Sequence, residues 1–299
     1  MRPIYPIMFC VSILLMAAAV AALAVYGLNL GVDFRGGSVL EISFKDRPSV
    51  DQLTTALGTL KIPALTDAAI NPSGDHDIII KSGPLTEGEH QQVLTALKKA
   101  LPKAEVRELR FDSIGPAIGE ELRTASVWAI VVSLIAIALY IALVFRAMAR
   151  TLSPWVMSFA TMVALAHDVL LPLGVFAVLG HVAGAEISAV FVAAILTIMG
   201  YSISDTVVVF DRVRENIVRG RMAKDTPFAQ VVHQSIMQTL VRSINTNITT
   251  LLSLVAIYFF GGPSIRYFAL ALIIGIFSGA YSSIFVASPI LVWLGKGRR

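Results

Sequence analysis

Asp168, next to His167, and Asp205 are ionisable side chains set within long apolar stretches, Arg242 stands at the start of a further one, and Glu186 stands at the mouth of the stretch that holds Asp205. A charge at the centre of a membrane helix costs about 2.5–3.5 kcal/mol on insertion scales, so each needs a partner, a water-filled cavity or a proton. Asp205 and Arg242 are about equally far from the same-side ends of consecutive antiparallel spans, which marks them as a pair. Arg242, Asn245, Thr246, Thr249 and Ser253 recur at i, i+3 and i+4 and place one polar stripe along a helix. Tyr201, one turn before Asp205, and Ser204 continue the polar line on the preceding span. An aspartate with an arginine in such a stripe points to an ion or proton route; the competing reading is that these hydroxyls and amides only hold helices together. Asp168 reads either as a second relay carboxylate or as a structural acid held protonated and hydrogen-bonded, and Glu186 reads as solvated.

Other chemistry finds no support. The histidines are scattered without metal-ligand spacing, and no serine elbow, kinase set or zinc motif occurs, so neither an enzyme nor a metal or other cofactor is expected. Gly31-Val-Asp-Phe-Arg-Gly-Gly37 lacks the Gly-Lys-Ser/Thr ending of a phosphate loop; its paired glycines fit a backbone turn or close packing. Gly275 and Gly279 form a GxxxG pattern that lets helices approach closely.

The elements that must carry these residues are membrane helices. The chain has 299 residues, of which 56% are hydrophobic and only 15% charged, and its mean hydropathy is +0.75. Apolar runs long enough to cross about 30 Å of hydrocarbon fall near 5–27, 125–145, 155–179, 187–210, 243–261 and 267–294. The first is expected to be an uncleaved anchor rather than a signal peptide. Cys10, the single cysteine, lies in it, so no internal disulfide can form. The resulting fold class is a six-helix transmembrane bundle with an inserted α+β domain. Residues 1–28 are expected to form the first helix, 29–124 the inserted domain and 125–299 the remaining spans. A connector at about 211–241 shows Phe228, Val231, Val232 and Ile236 at helical spacing, which predicts a helix lying on the membrane surface.

Within the insertion, alternation over Gly37–Phe44, helical spacing over Ser49–Leu60, a weak strand near 64–71 and a strand at Asp77–Lys81 are followed by a helix over Thr86–Ala100 and a last strand, Glu105–Phe111. Thr86 and Glu89 have the spacing of a capping box. The order βαββαβ predicts a ferredoxin-like sandwich. Arg2, Arg146, Arg150, Arg212, Arg214, Arg219, Arg221, Lys224, Arg242, Lys296, Arg298 and Arg299 fall at one set of span ends, against Arg266 alone in the short connections opposite. The positive-inside rule then puts both termini in the cytoplasm and the inserted domain outside. Basic residues used as topology signals leave no basic face for nucleic acid.

Six segments carry a resemblance in their order along the chain. They are Gly31–Gly37, Ile114–Arg123, His167–Val169, Gly200–Asn216, Gln238–Asn247 and Tyr281–Pro289. Together they resemble the SecF family of the bacterial protein-export machinery. The resemblance implies an RND-type half-transporter in the bacterial cytoplasmic (inner) membrane, with its inserted domain in the periplasm. It implies a related SecD subunit, with an interface rich in small residues such as those around Gly275 and Gly279, a SecY-type channel complex and exported preprotein as partners, and protons as the driving ion. The family's proton-pathway aspartate and arginine carry over onto Asp205 and Arg242, with Asp168 a further candidate, and its glycine motif onto Gly31, Asp33, Phe34, Gly36 and Gly37. Members often carry Asn where Ser204 stands and Thr where Ala280 stands. The alternatives are a small-molecule or lipid exporter half of the same superfamily and a passive scaffold subunit.

Overall fold

Alternation along the first strand of the insertion decides which face is covered. The computed structural model describes residues 3–102, 104–148, 153–218 and 226–295. These form two compact units, residues 30–127 and residues 1–29 with 128–299. In the former, strands β1 (Gly37–Ser43), β2 (Ala69–Ser73), β3 (Asp77–Ser82) and β4 (Arg107–Ile114) make an antiparallel sheet in the order β2-β3-β1-β4. Leu40 pairs with Ile80, and Ile42 with Ile78, so the apolar side chains of the central strands point to one face. Helices α3 (Val50–Gly58) and α4 (Glu87–Ala100) cover that face with Leu53, Leu57, Val93, Leu94 and Leu97. This is the ferredoxin-like arrangement the strand and helix order predicts.

Local signals start both helices. Thr86 and Glu89 form the predicted capping box, and Ser49 with Gln52 forms a second. The short helix α2 (Val32–Arg35) fills the glycine motif, with Gly31 as its N-cap and Phe34 buried. Gly36 and Gly37 have φ of +77° and +134°. A Cβ on Gly36 would lie 2.8 Å from the Pro116 backbone, and one on Gly37 would lie 2.7 Å from the Ser82 carbonyl. Both positions therefore need glycine for conformation and for space.

The second unit is helical. Among the described residues, six helices, counting the last two segments as one span, are long and apolar enough to cross a membrane. They are α1 (Ile4–Tyr26), α5 (Pro116–Val144), α6 (Pro154–Ala183), α7 (Ala189–Val218), α8 (Phe228–Phe260), and α9 (Pro263–Ser282) continued through a π-helical turn into α10 (Ser288–Gly295). The π turn, Ser283–Ala287, has a covalent cause: Pro289 has no N–H to give the Phe285 carbonyl, and Ser288 Oγ donates instead to the Ser283 carbonyl at 2.8 Å. Pro172 within α6 likewise withholds the N–H that would serve the Asp168 carbonyl.

Two expectations need correction. No separate surface helix occupies residues 211–241: the first part belongs to α7, residues 219–225 lie outside the described residues, and Phe228 onward is one continuous 33-residue helix. Val231, Val232 and Ile236 bury against the bundle, while Ser235 Oγ and Thr239 Oγ1 donate to backbone carbonyls one turn back. The segment thus has an apolar inner face already matched within the protein. Gly275 and Gly279, expected at a subunit interface, instead face α7, against Ile198 and Ser202.

Glu89 Oε2 accepts from the Thr86 N–H and hydroxyl, both at 2.8 Å, and these bonds hold its carboxyl below the usual glutamate value. A folded-state value below the unfolded one contributes stability that is present above about pH 4.3 and is lost as pH falls through the folded value. Glu89→Gln preserves the cap but removes the titration. Acid unfolding of the inserted domain in the full chain, followed from pH 6 to 3 by limited proteolysis, should therefore depend less steeply on pH in the variant than in the parent.

Candidate functional site

Helical phase decides which polar side chains of the bundle face one another. Asp168, on α6, is fully buried at 0% exposure, as is His167. Ser278 Oγ donates to Asp168 Oδ1 at 2.8 Å, and His167 Nδ1 lies 2.9 Å from the same oxygen. Ser202 and Ser282 donate to Oδ2 at 2.5 and 2.7 Å. An ionised carboxylate offers about four acceptor positions, and four neighbouring groups fill them. The arrangement ties α6, α7 and α9 together just before the π turn. The Tyr281 ring stacks over His167 at 5.9 Å between centroids, and its hydroxyl donates to the Met8 carbonyl at 2.6 Å, which brings α1 into the same group.

Asp205 sits one turn further along α7 than Ser202 and is differently served. It is 6% exposed, and Asn247 Nδ2, itself on a 4%-exposed residue, donates to Asp205 Oδ2 at 2.6 Å. The expected ion pair with Arg242 is not closed. Arg242 is exposed and lines a cavity of about 210 Å³ with Asp211, Arg212, Glu215, Gln238 and Thr239. Arg242 and Asp168 are ionisable side chains near enough to Asp205 to act on it electrostatically. Asn216 Nδ2 donates to Ser235 Oγ at 2.9 Å and to Gln238 Oε1 at 3.1 Å, closing α7 onto α8 beside this cavity. Tyr5 Oη lies 2.7 Å from His233 Nδ1, so the cavity is at the bundle end that carries the start of α1.

The polar stripe is offset by one residue from the expected one. Asn245, Thr246 and Thr249 point outward from the chain, and Ser204 is exposed too. The inward line on α8 is Thr239, Ser243 and Asn247. Of the expected stripe, Tyr201 does touch α8: its hydroxyl donates to the Thr246 carbonyl at 3.1 Å and lies 2.9 Å from Thr250 Oγ1. Letting Arg242 set the phase misplaced the face by one residue, about 100° around a helix. A repeat at i, i+4 and i+8 from Thr239 was the available signal. The serines on Asp168 gave none, because they come from two helices distant in sequence.

Comparison with known proteins places this geometry in a family. Residues 92–297 match the model described as "Protein export membrane protein SecD/SecF, C-terminal", and residues 21–46 match the SecD/SecF GG motif. Proteins named "Protein translocase subunit SecF" from Thermobaculum terrenum and Thermodesulfovibrio yellowstonii are each 39% identical, over 96% of this chain and 92% and 90% of their own lengths. A crystal structure of SecDF from Thermus thermophilus, described as a translocon-associated membrane protein, superposes with a TM-score of 0.80 at 36% identity. That match covers 97% of this chain but 37% of the SecDF chain. The class is therefore a multi-pass membrane protein of protein export. The chain belongs to the SecD/SecF family, on the side of the SecF-named relatives.

Asp168→Ala would take the carboxylate acceptor from three serine hydroxyls and an imidazole, of which Ser282 keeps the Gly279 carbonyl and Ser278 the His167 ring nitrogen, each at 3.2 Å. At about 1–3 kcal/mol for each orphaned buried group, the purified variant in mild detergent should melt well below the parent, whereas Ser282→Ala, which removes one donor, should shift the melt only slightly. Equal melting of Asp168→Ala and parent would contradict the clamp.

Proposed function

We propose that this chain is the SecF-type half of a proton-driven accessory of the Sec translocase. The observation that carries the reading is Asp205, a carboxylate buried within a membrane span and served by an amide, with Arg242 nearby at the mouth of a cavity. An acid in that position either binds a proton or holds a countercharge. In the proposed cycle the ionised acid alternates between its Asn247 contact and a closed pair with Arg242, and proton uptake releases the pair. One charge crossing the membrane potential is worth about 2.3 kcal/mol per 100 mV, enough to bias an equilibrium of a few kcal/mol between two packings of α7 and α8. The inserted domain transmits the change to preprotein on the outer face, beside a SecY-type channel.

The partner half is a SecD-type bundle. Two features support it: the SecDF chain of Thermus thermophilus is much longer than the part this chain matches, and Asn245, Thr246 and Thr249 present polar groups on the outer surface of α8. Thr246 and Thr249 satisfy their own hydroxyls on backbone carbonyls one turn back, but an asparagine amide and the Arg242 guanidinium have no such recourse in lipid. RND-type transporters place their ion sites between two related halves, which covers this face.

Orientation rests on the basic residues. Arg2, Arg150, Arg219, Arg221, Lys224, Lys296, Arg298 and Arg299 lie outside the described residues, while Arg146, Arg212 and Arg214 lie near the ends of α5 and α7 and Arg242 lies within the continuous α8. In a Cys10→Ala background, a cysteine at Ser73 should be labelled by an impermeant thiol reagent added to intact cells and one at Thr226 should not; the reverse pattern would invert the topology.

Asp205→Asn keeps size and hydrogen bonding but removes the titratable group. The variant should assemble at native abundance, and export stimulation that depends on the proton-motive force should fall to the level of a strain lacking the protein, with ATP-driven export continuing. Arg242→Met should impair the same component. Normal stimulation in the Asp205→Asn strain would leave a passive scaffold as the function.

A further inference from the structure

Asn247 has an unfilled acceptor next to the buried acid. Its Nδ2 donates both to Asp205 Oδ2 at 2.6 Å and to the Ser243 carbonyl at 2.7 Å. A carbonyl can only face a donor, so the Ser243 contact fixes which end of the amide is nitrogen. Oδ1 of the same amide is buried and has no hydrogen-bond partner among the described residues. A buried polar atom without a partner costs about 1–3 kcal/mol, and most such atoms are filled. The question is what fills this one in the other protonation state of its neighbour.

We propose that Asn247 is the positioning residue that senses protonation of Asp205, by converting one amide–carboxylate hydrogen bond into a closed acid–amide pair. This rests on the reading above that Asp205 takes up a proton. A primary amide and a carboxylic acid are matching planar forks, each with one donor arm and one acceptor arm when the acid is neutral. With Asp205 ionised, only the N–H···Oδ2 arm of the pair can form, and Asn247 Oδ1 is left without a donor. When a proton adds to Asp205 Oδ1, the new O–H bond supplies a donor to Asn247 Oδ1 while the N–H arm stays on Oδ2. Proton uptake thus adds an α7–α8 hydrogen bond at the moment the attraction between Asp205 and Arg242 is lost. Of the other groups acting on Asp205, Arg242 carries only donors, Asp168 already has four neighbours on its two oxygens, and the Ser243 hydroxyl, one turn before Asn247 on α8, hydrogen-bonds the Asp205 carboxyl as well. α8 therefore exchanges a charge contact for a neutral one instead of simply letting go.

Infrared difference spectra of the full chain in lipid vesicles, recorded across pH, test this directly. The carboxylic C=O band of Asp205 is assigned by its absence in Asp205→Asn. In Asn247→Leu, which has similar volume and no polar atoms, that band should move to higher frequency, because the acid loses both arms of the pair. Its pH midpoint should also shift. Asn247→Thr, which restores one hydroxyl, should give an intermediate frequency, and it serves alone if the leucine variant does not fold. A band at the parental frequency in both variants, or in the threonine variant alone when it is the only one recovered, overturns the proposal. So does the absence of any band that Asp205→Asn removes. If the band responds to Asn247 while Asp205→Asn exports normally, the acid–amide pair stands and the export role of Asp205 falls.

Discussion

A carboxylate inside a bilayer has to be met donor for donor, because hydrocarbon offers nothing in place of water. Asp168 sets this constraint, and much of the bundle follows from it. Four neighbouring groups from three helices converge on two oxygens, and they can do so only if α9 lies unusually close to α7. Gly279 provides that approach: a Cβ there would come within 3.0 Å of the Ser202 side chain. Gly275 does the same one turn earlier against Ile198. The small-residue pattern is thus subordinate to a polar requirement, and it is satisfied within this chain. The distortions nearby fit the same need, since Pro172 loosens α6 at Asp168 and the π turn begins directly after Ser282.

Asp205 shows how a second carboxylate of identical chemistry acquires a different role from its surroundings. Asp168 is enclosed on every side and has no room to change partners. Asp205 has an amide on one side, an arginine within electrostatic reach and a polar cavity beyond that arginine. An acid whose acceptor capacity is already filled gains nothing from a new conformation, whereas one with alternative partners can move between them. Of the two, Asp205 has the surroundings that suit the proposed switch, and Asp168, with its four neighbours, suits a structural clamp.

What was legible in the sequence follows the range of each signal. The spans are legible from hydropathy alone, and the βαββαβ order from alternation and caps, because both depend on neighbours a few residues apart. Thr86 and Glu89 announce their helix locally, as do Ser49 and Gln52. The face of α8 was misread because one arginine was allowed to set its phase, and a helix rotated by a single residue presents a different side to the bundle. The partners of Asp168 were not legible, since Ser202, Ser278 and Ser282 become neighbours only through packing of α7 and α9. The surface helix expected over 211–241 failed for a related reason: an amphipathic pattern does not say whether its apolar side meets lipid or protein, and Val231, Val232 and Ile236 meet protein.

The two sites are coupled by the helix they share. Ser202 and Asp205 lie three residues apart on α7, so they are one turn apart along a continuous, hydrogen-bonded rod. At Ser202 the rod is fixed to α6 through Asp168 and packed against α9 at Gly279. At Asp205 it is joined to α8 by the amide of Asn247, and near its end by Asn216 to Ser235 and Gln238. In the proposed cycle, a change at Asp205 would act on a rod held one turn away at Ser202, with the Asp168 contacts as the fixed point. Rigid helices that meet at a clamped polar layer can pass on a local protonation event in this way because packed interfaces shift between discrete arrangements rather than deform continuously.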